Sequence, residues 1–133
     1  MSLLKRVRSR DVPEPAPDSF SHCLIGGDTV FVSGQHAGNA AGGIDGDGTM
    51  LSQATVAFAK IKLLLEAAGA TMADVAKLTV YVTDMSQRAG VSEARKKFFK
   101  GDFPCSTLIG ISALAQPGLL VEIDAVAVHP QPG

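Results

Sequence analysis

The sequence has no tryptophan, one tyrosine (Tyr81) and two cysteines in 133 residues. Charged residues make up 19% of it and the formal net charge is −1, against a usual quarter charged. Each shortage removes a class of function. Without a positive surplus there is no overall field to gather phosphates, which argues against nucleic acid as a partner. No apolar run approaches the roughly 18 residues of a membrane helix, so no membrane partner is expected. The basic opening MSLLKRVRSRD lacks an apolar core behind it and is not expected to be a secretory signal; the expected address is the cytoplasm. Cys23 and Cys105 stand at no metal-binding spacing. One disulfide or two free thiols are both open, and free thiols in a reducing compartment are preferred. His22, His36 and His129 form no H-E-x-x-H or similar pattern, and no cofactor is expected. Ser33-Gly34-Gln35 is not a nucleophile elbow, which needs the frame Gly-x-Ser-x-Gly.

What is present is apolar. Hydrophobic residues are 46% of the chain. A small domain with so thin a polar coat can cover surplus apolar surface with copies of itself. Residues 1–17 carry four basic residues, Lys5, Arg6, Arg8 and Arg10, then Pro13, Pro15 and Pro17, and predict an irregular N-terminal arm. A single domain is expected over 18–129, followed by a tail at 130–133.

Within that domain, Gly26-Gly27-Asp28 joins two short strands, the second ending at Gly34-Gln35. Residues 37–48 hold five glycines and read as a loop without a phosphate-cradle order. Ala54, Ala57, Phe58, Ile61, Leu64, Leu65 and Ala68 recur at helical spacing, which predicts a helix from about Met50 to Ala68 capped by Thr49 or Ser52. Thr71 and Asp74 have capping-box spacing. Residues 76–82 alternate as a half-buried strand, with Ala76 on its apolar face. A second helix is expected to end near Lys100, weakened early by Gly90 and with Arg95 on its inner side. The basic set Arg95, Lys96, Lys97 and Lys100 has no interleaved aromatics of the kind that single strands stack on.

From Phe103 to Val128 the chain predicts two strands joined by a tight turn at Gln116-Pro117-Gly118. In the last strand Val121, Ile123, Ala125 and Ala127 share one face; Glu122, Asp124, Val126 and Val128 share the other. The two acids are roughly 7 Å apart within an apolar run. An acid there faces water, lies in a subunit seam, or holds or protonates a ligand, because unpaired burial is costly. Cys105 follows Pro104 at a loop-to-strand junction with no cation or helix N-terminus in view, so a buried inert thiol is favoured. The fold class is α/β: a two-layer sandwich with a sheet against two helices.

Ser33-Gly34-Gln35, Ala67-Ala68-Gly69, Thr79-Val80-Tyr81-Val82 and the closing Pro-Gly then Val-Glu-Ile-Asp-Ala-Val-Ala resemble the reactive intermediate deaminase family (RidA; YjgF/YER057c/UK114; endoribonuclease L-PSP-like). The resemblance covers about residues 18–128. It implies a chorismate-mutase-like mixed sheet, a homotrimer with sheets packed inward, and small-molecule clefts between subunits. Active members hydrolyse enamines and imines such as 2-aminoacrylate to a 2-keto acid and ammonia. The resemblance retains Glu122 as the catalytic carboxylate, positioning or activating water, and retains Gly34 in the substrate site. It places Ser106 where those members carry an arginine for the substrate carboxylate, Phe20 where they carry tyrosine, and Ser92 where they carry asparagine. Arginine offers a bidentate fork that serine cannot. A cleft of Cys105, Ser106, Thr107 and Glu122 is therefore expected to suit a neutral or cationic molecule and to serve 2-aminoacrylate poorly. Two alternatives accompany this reading: a non-catalytic ligand-binding or chaperone-like trimer, and an endoribonuclease, which a charge-poor cleft disfavours.

Overall fold

A computed structural model describes residues 2–132. Eight regular elements follow in order: β1 (Leu4–Val7), β2 (Cys23–Gly26), β3 (Thr29–Gln35), α1 (Met50–Ala67), β4 (Val75–Val82), α2 (Ala89–Phe98), β5 (Cys105–Gly110) and β6 (Val121–Val128). The strands form one sheet in the order β1-β2-β3-β6-β4-β5. β4 and β5 are parallel, and every other pairing is antiparallel. Both helices cover one face, giving the expected two-layer α/β sandwich with a mixed sheet.

The helix stripe read from the sequence is the core. Ala54, Ala57, Phe58, Ile61, Leu64 and Leu65 are all fully buried, and Phe58 packs on Phe98 and Phe99 at ring distances of 5.5 and 5.7 Å. Thr49 caps α1 by accepting from the backbone N–H of Ser52. Thr71 and Asp74 form their capping box. Gly90 has a role that propensity alone does not show. A Cβ there would lie 2.6 Å from the backbone N of Leu51 and 3.0 Å from the Cβ of Met50, so the missing side chain lets α2 cross the start of α1.

Gln53, absent from the apolar stripe, is also buried. Its amide donates to the Gly118 carbonyl (3.0 Å) and accepts from the Leu120 N–H (2.8 Å). One side chain thereby satisfies two backbone groups just ahead of β6 and fixes where that strand begins.

Three expectations need correction. The arm is not irregular throughout, because Leu4–Val7 pairs with β2. Its polar look comes from being an edge, where charged residues are tolerated; Arg6 binds Glu14 at 2.8 Å and the Phe20 carbonyl at 3.2 Å. The last two strands are not a hairpin. β5 lies parallel to β4 at the far edge, and β6 runs between β3 and β4. Alternation assigns faces but not neighbours, and the helix between β4 and β5 is the crossover that parallel pairing requires. Ala76 is exposed rather than inward, because the β4–β6 register shifts between Val75 and Lys77 and bulges it out.

Candidate functional site

The sheet face away from the helices carries the acid pair. Along β6, Val121, Ile123, Ala125 and Ala127 are buried under the helices, while Glu122, Asp124 and Val126 are half-buried on the open side. Glu122 stands opposite Tyr81, which stands opposite Ile109. Asp124, Thr79 and Thr107 make the next row, and Val126, Lys77 and Cys105 the one after. Tyr81 donates its hydroxyl to Asp124 at 3.2 Å. Asp124 is therefore engaged and Glu122 is the freer carboxylate. Burial, and after it the charge of Asp124, pushes the Glu122 carboxyl above its ordinary range.

Gly34 makes room for that carboxylate. The β3–β6 register slips between Val32 and Gln35, so Ser33 and Gly34 together face Asp124 as a bulge. A Cβ on Gly34 would lie 2.5 Å from Glu122 Oε2 and 2.7 Å from its Cδ. Beside them, Ser21, Ser33, Gly34 and Asp124 line a shallow hollow of about 370 Å³. Ser33 ties the preceding segment down by donating to the Ser21 carbonyl at 2.6 Å. Phe20, one residue earlier, is 55% exposed and sets its edge on His22. His22 in turn meets the buried Gln35 at 3.1 Å.

Ser92 and Ser106 are elsewhere. Ser106 pairs with the buried Leu78 and so points to the helix side, opposite Glu122. With Ser86, Arg88, Ser92, Arg95 and Leu108 it lines a groove of about 650 Å³ between α2 and β5. Arg95 reaches from the helix and donates from Nη2 to the Ser106 hydroxyl at 3.1 Å. Its Nε is buried without a hydrogen-bond partner, and burial lowers its pKa. Nothing in local spacing announced this contact. The signal that was available is a guanidinium beside fully buried Ala94, on the side of the helix that should be apolar.

Within one chain the seven residues thus fall into two groups. Glu122, Gly34, Cys105 and Thr107 share the open face with Phe20 at its margin, while Ser92 and Ser106 share the helix-side groove. Cys105 is exposed, against the expectation of a buried thiol, because all of β5 is an exposed edge in the single chain. Cys23 is buried, with its thiol pushed up to about 11 by burial. Both cysteines are free, on strands at different ends of the sheet. Among the described residues no helix is long and apolar enough to cross a membrane.

The comparisons bear on this arrangement. A profile of the family described as endoribonuclease L-PSP matches residues 12–129. The chain belongs to this family, the RidA or YjgF/YER057c/UK114 family. Among its RidA-family relatives, the 2-iminobutanoate/2-iminopropanoate deaminase of Homo sapiens is 31% identical over 128 residues, 96% of this chain and 93% of that protein. A crystal structure from Pseudomonas aeruginosa, described as of unknown function, is 38% identical, with a TM-score of 0.85 over 97% of this chain and 94% of the other. A YjgF/YER057c/UK114 family member from Mycobacterium tuberculosis is 34% identical, with a TM-score of 0.72 over 82% and 86%.

Proposed function

We propose that this RidA-family chain binds a small metabolite in a cleft between subunits of a homotrimer and hydrolyses it there as an imine, with Glu122 activating water. The observation that carries the reading is the half-buried Glu122, seated over a glycine that leaves it room and flanked by an already engaged Asp124. The relatives named for deamination of 2-imino acids support the reaction class. The division of the candidate residues between opposite sheet faces supports a cleft made by two copies, since one chain cannot turn both groups toward one ligand. The open face fits a covered surface. It presents Phe31 at 46%, Ile109 at 39% and Val128 at 53% exposure, a density of apolar side chains suited to an interface.

The chemistry balances without a cofactor. An enamine first takes a proton on carbon and becomes an iminium. Water oxygen then bonds to the iminium carbon while Glu122 accepts a water proton, leaving a neutral carbinolamine. Glu122 returns that proton to the amine, the C–N bond breaks with both electrons leaving on ammonia, and the hydroxyl proton passes to that ammonia as the carbonyl forms. Net, iminium and water become a carbonyl compound and ammonium. The carboxylate must begin ionised, so its raised pKa sets a requirement.

The test is carbonyl release from freshly generated small imines as pH is varied. The expected acid limb falls away as pH drops through the raised Glu122 pKa, above the ordinary glutamate range. Stability moves the other way. The folded chain holds the Glu122 proton more tightly than the unfolded chain, so this group lowers stability as pH rises across the interval between the two pKa values. Glu122→Gln should remove both slopes. Release with no acid limb, or the same limb in Glu122→Gln, contradicts the assignment.

A further inference from the structure

The groove between α2 and β5 is lined by arginines and hydroxyls with no acid among them. Arg95 and Arg88 supply two guanidinium groups, and Ser86, Ser92 and Ser106 supply three hydroxyls. No Asp or Glu is among its lining residues, and among the described residues Arg95 has no carboxylate partner. Arg95 is half-buried, with its Nε shut away from water, and a guanidinium so placed without an acid to meet it is costly to keep. Of its five N–H donors, only Nη2 has a protein hydrogen bond among the described residues, and Nε has none at all. A link made only to hold β5 against α2 would need no charge, since a serine hydroxyl is satisfied equally well by a neutral amide.

We propose that Arg95, reaching across from α2 with the Ser106 and Ser92 hydroxyls beside it, is the carboxylate-binding residue of this protein's ligand site. This rests on the proposed cleft and adds which side chain of this chain would meet a ligand's carboxylate: Arg95 of α2, not a residue of β5. The planar fork takes both carboxylate oxygens, and Ser106 passes from partner of Arg95 to additional donor. It also reverses the expectation drawn from Ser106 alone, because the cation that β5 lacks comes from the neighbouring helix. Ser106 is then a space-maker, since a longer side chain at that position would occupy the volume that the guanidinium and the ligand share.

The test reads binding, not turnover. 2-Oxobutanoate and its neutral amide are titrated into the full-length protein by calorimetry. The acid is expected to bind at least about tenfold more tightly than the amide, in line with hydrogen bonds to a charged group. In Arg95→Met the acid should weaken by roughly 10- to 100-fold while the amide is unchanged, and Arg95→Lys should recover part of the preference. Ser106→Asp, at an exposed position, leaves the core intact and gives Arg95 an internal acid, so it too should abolish the preference. Equal affinity for acid and amide in the wild type overturns the proposal, as does a preference that survives Arg95→Met or Ser106→Asp. The two readings fail separately. Arg95-dependent acid binding with no imine turned over sinks the hydrolysis and leaves this site standing. Glu122-dependent hydrolysis of neutral imines with no acid preference does the reverse.

Discussion

Glu122→Gln is expected to lower kcat for imine hydrolysis by about 10²- to 10⁴-fold, the range for loss of a positioned acid or base. KM and the assembled mass should stay near wild type. The replacement keeps the shape over Gly34 and removes only the ability to take and return a proton. Tyr81 and Asp124 are untouched, because their hydrogen bond does not involve Glu122. Asp124→Asn is the natural comparison. That carboxylate is already engaged by the Tyr81 hydroxyl, so its loss should change activity far less. Steady-state kinetics on both variants, with circular dichroism to establish folding, separates a chemical role from a structural one. A Glu122→Gln variant with kcat within about threefold of wild type contradicts the assignment of the proton carrier.

The second large effect concerns the open face. Phe31→Arg is expected to convert the proposed trimer to monomer at micromolar concentrations and to abolish turnover with it. Phe31 sits beside Leu24 and Val126 and is 46% exposed in the single chain, so the substitution disturbs little of that chain's own core. In the proposed trimer the same side chain would be covered. Burying a phenylalanine contributes roughly 1.5–3 kcal/mol, and a guanidinium in its place adds a desolvation cost in every subunit. Three such losses in the proposed trimer would exceed what a modest interface can absorb. Sedimentation velocity reads the outcome directly. A variant that remains trimeric would show that the sheet's open face is not the contact surface.

Some of this was open to reading in the chain and some was not, for physical reasons. Local rules were sufficient wherever the determinant lies within a few residues. Thr49 caps α1, Thr71 and Asp74 close a capping box, the α1 stripe is buried, and alternation along β6 separates Glu122 from Ile123. What depended on partners distant in sequence was hidden. The period-two pattern of β5 and β6 suits a hairpin as well as two separated strands, and only the helix between β4 and β5 chooses. β1 looks like a basic arm because an edge strand need not alternate. Ala76 fits its period but is displaced by a bulge that propensity does not encode. At the site, Glu122 stood out as an acid in an apolar run. The space left by Gly34 and the contact of Arg95 with Ser106 appear only once residues 88 and 11 positions apart are brought together.

The most direct measurement mixes two inactive variants. Glu122→Gln damages the open-face group, and Ser106→Trp fills the helix-side groove from an exposed position. Each alone should be inactive as a homotrimer. Unfolded together and refolded as mixed trimers, they should regain about a quarter of wild-type activity, because in a head-to-tail ring each cleft takes one group from each neighbour. Return of activity on mixing is the predicted result. Mixed trimers no more active than their parents would mean that both groups of every site come from one chain, contradicting a cleft shared between subunits.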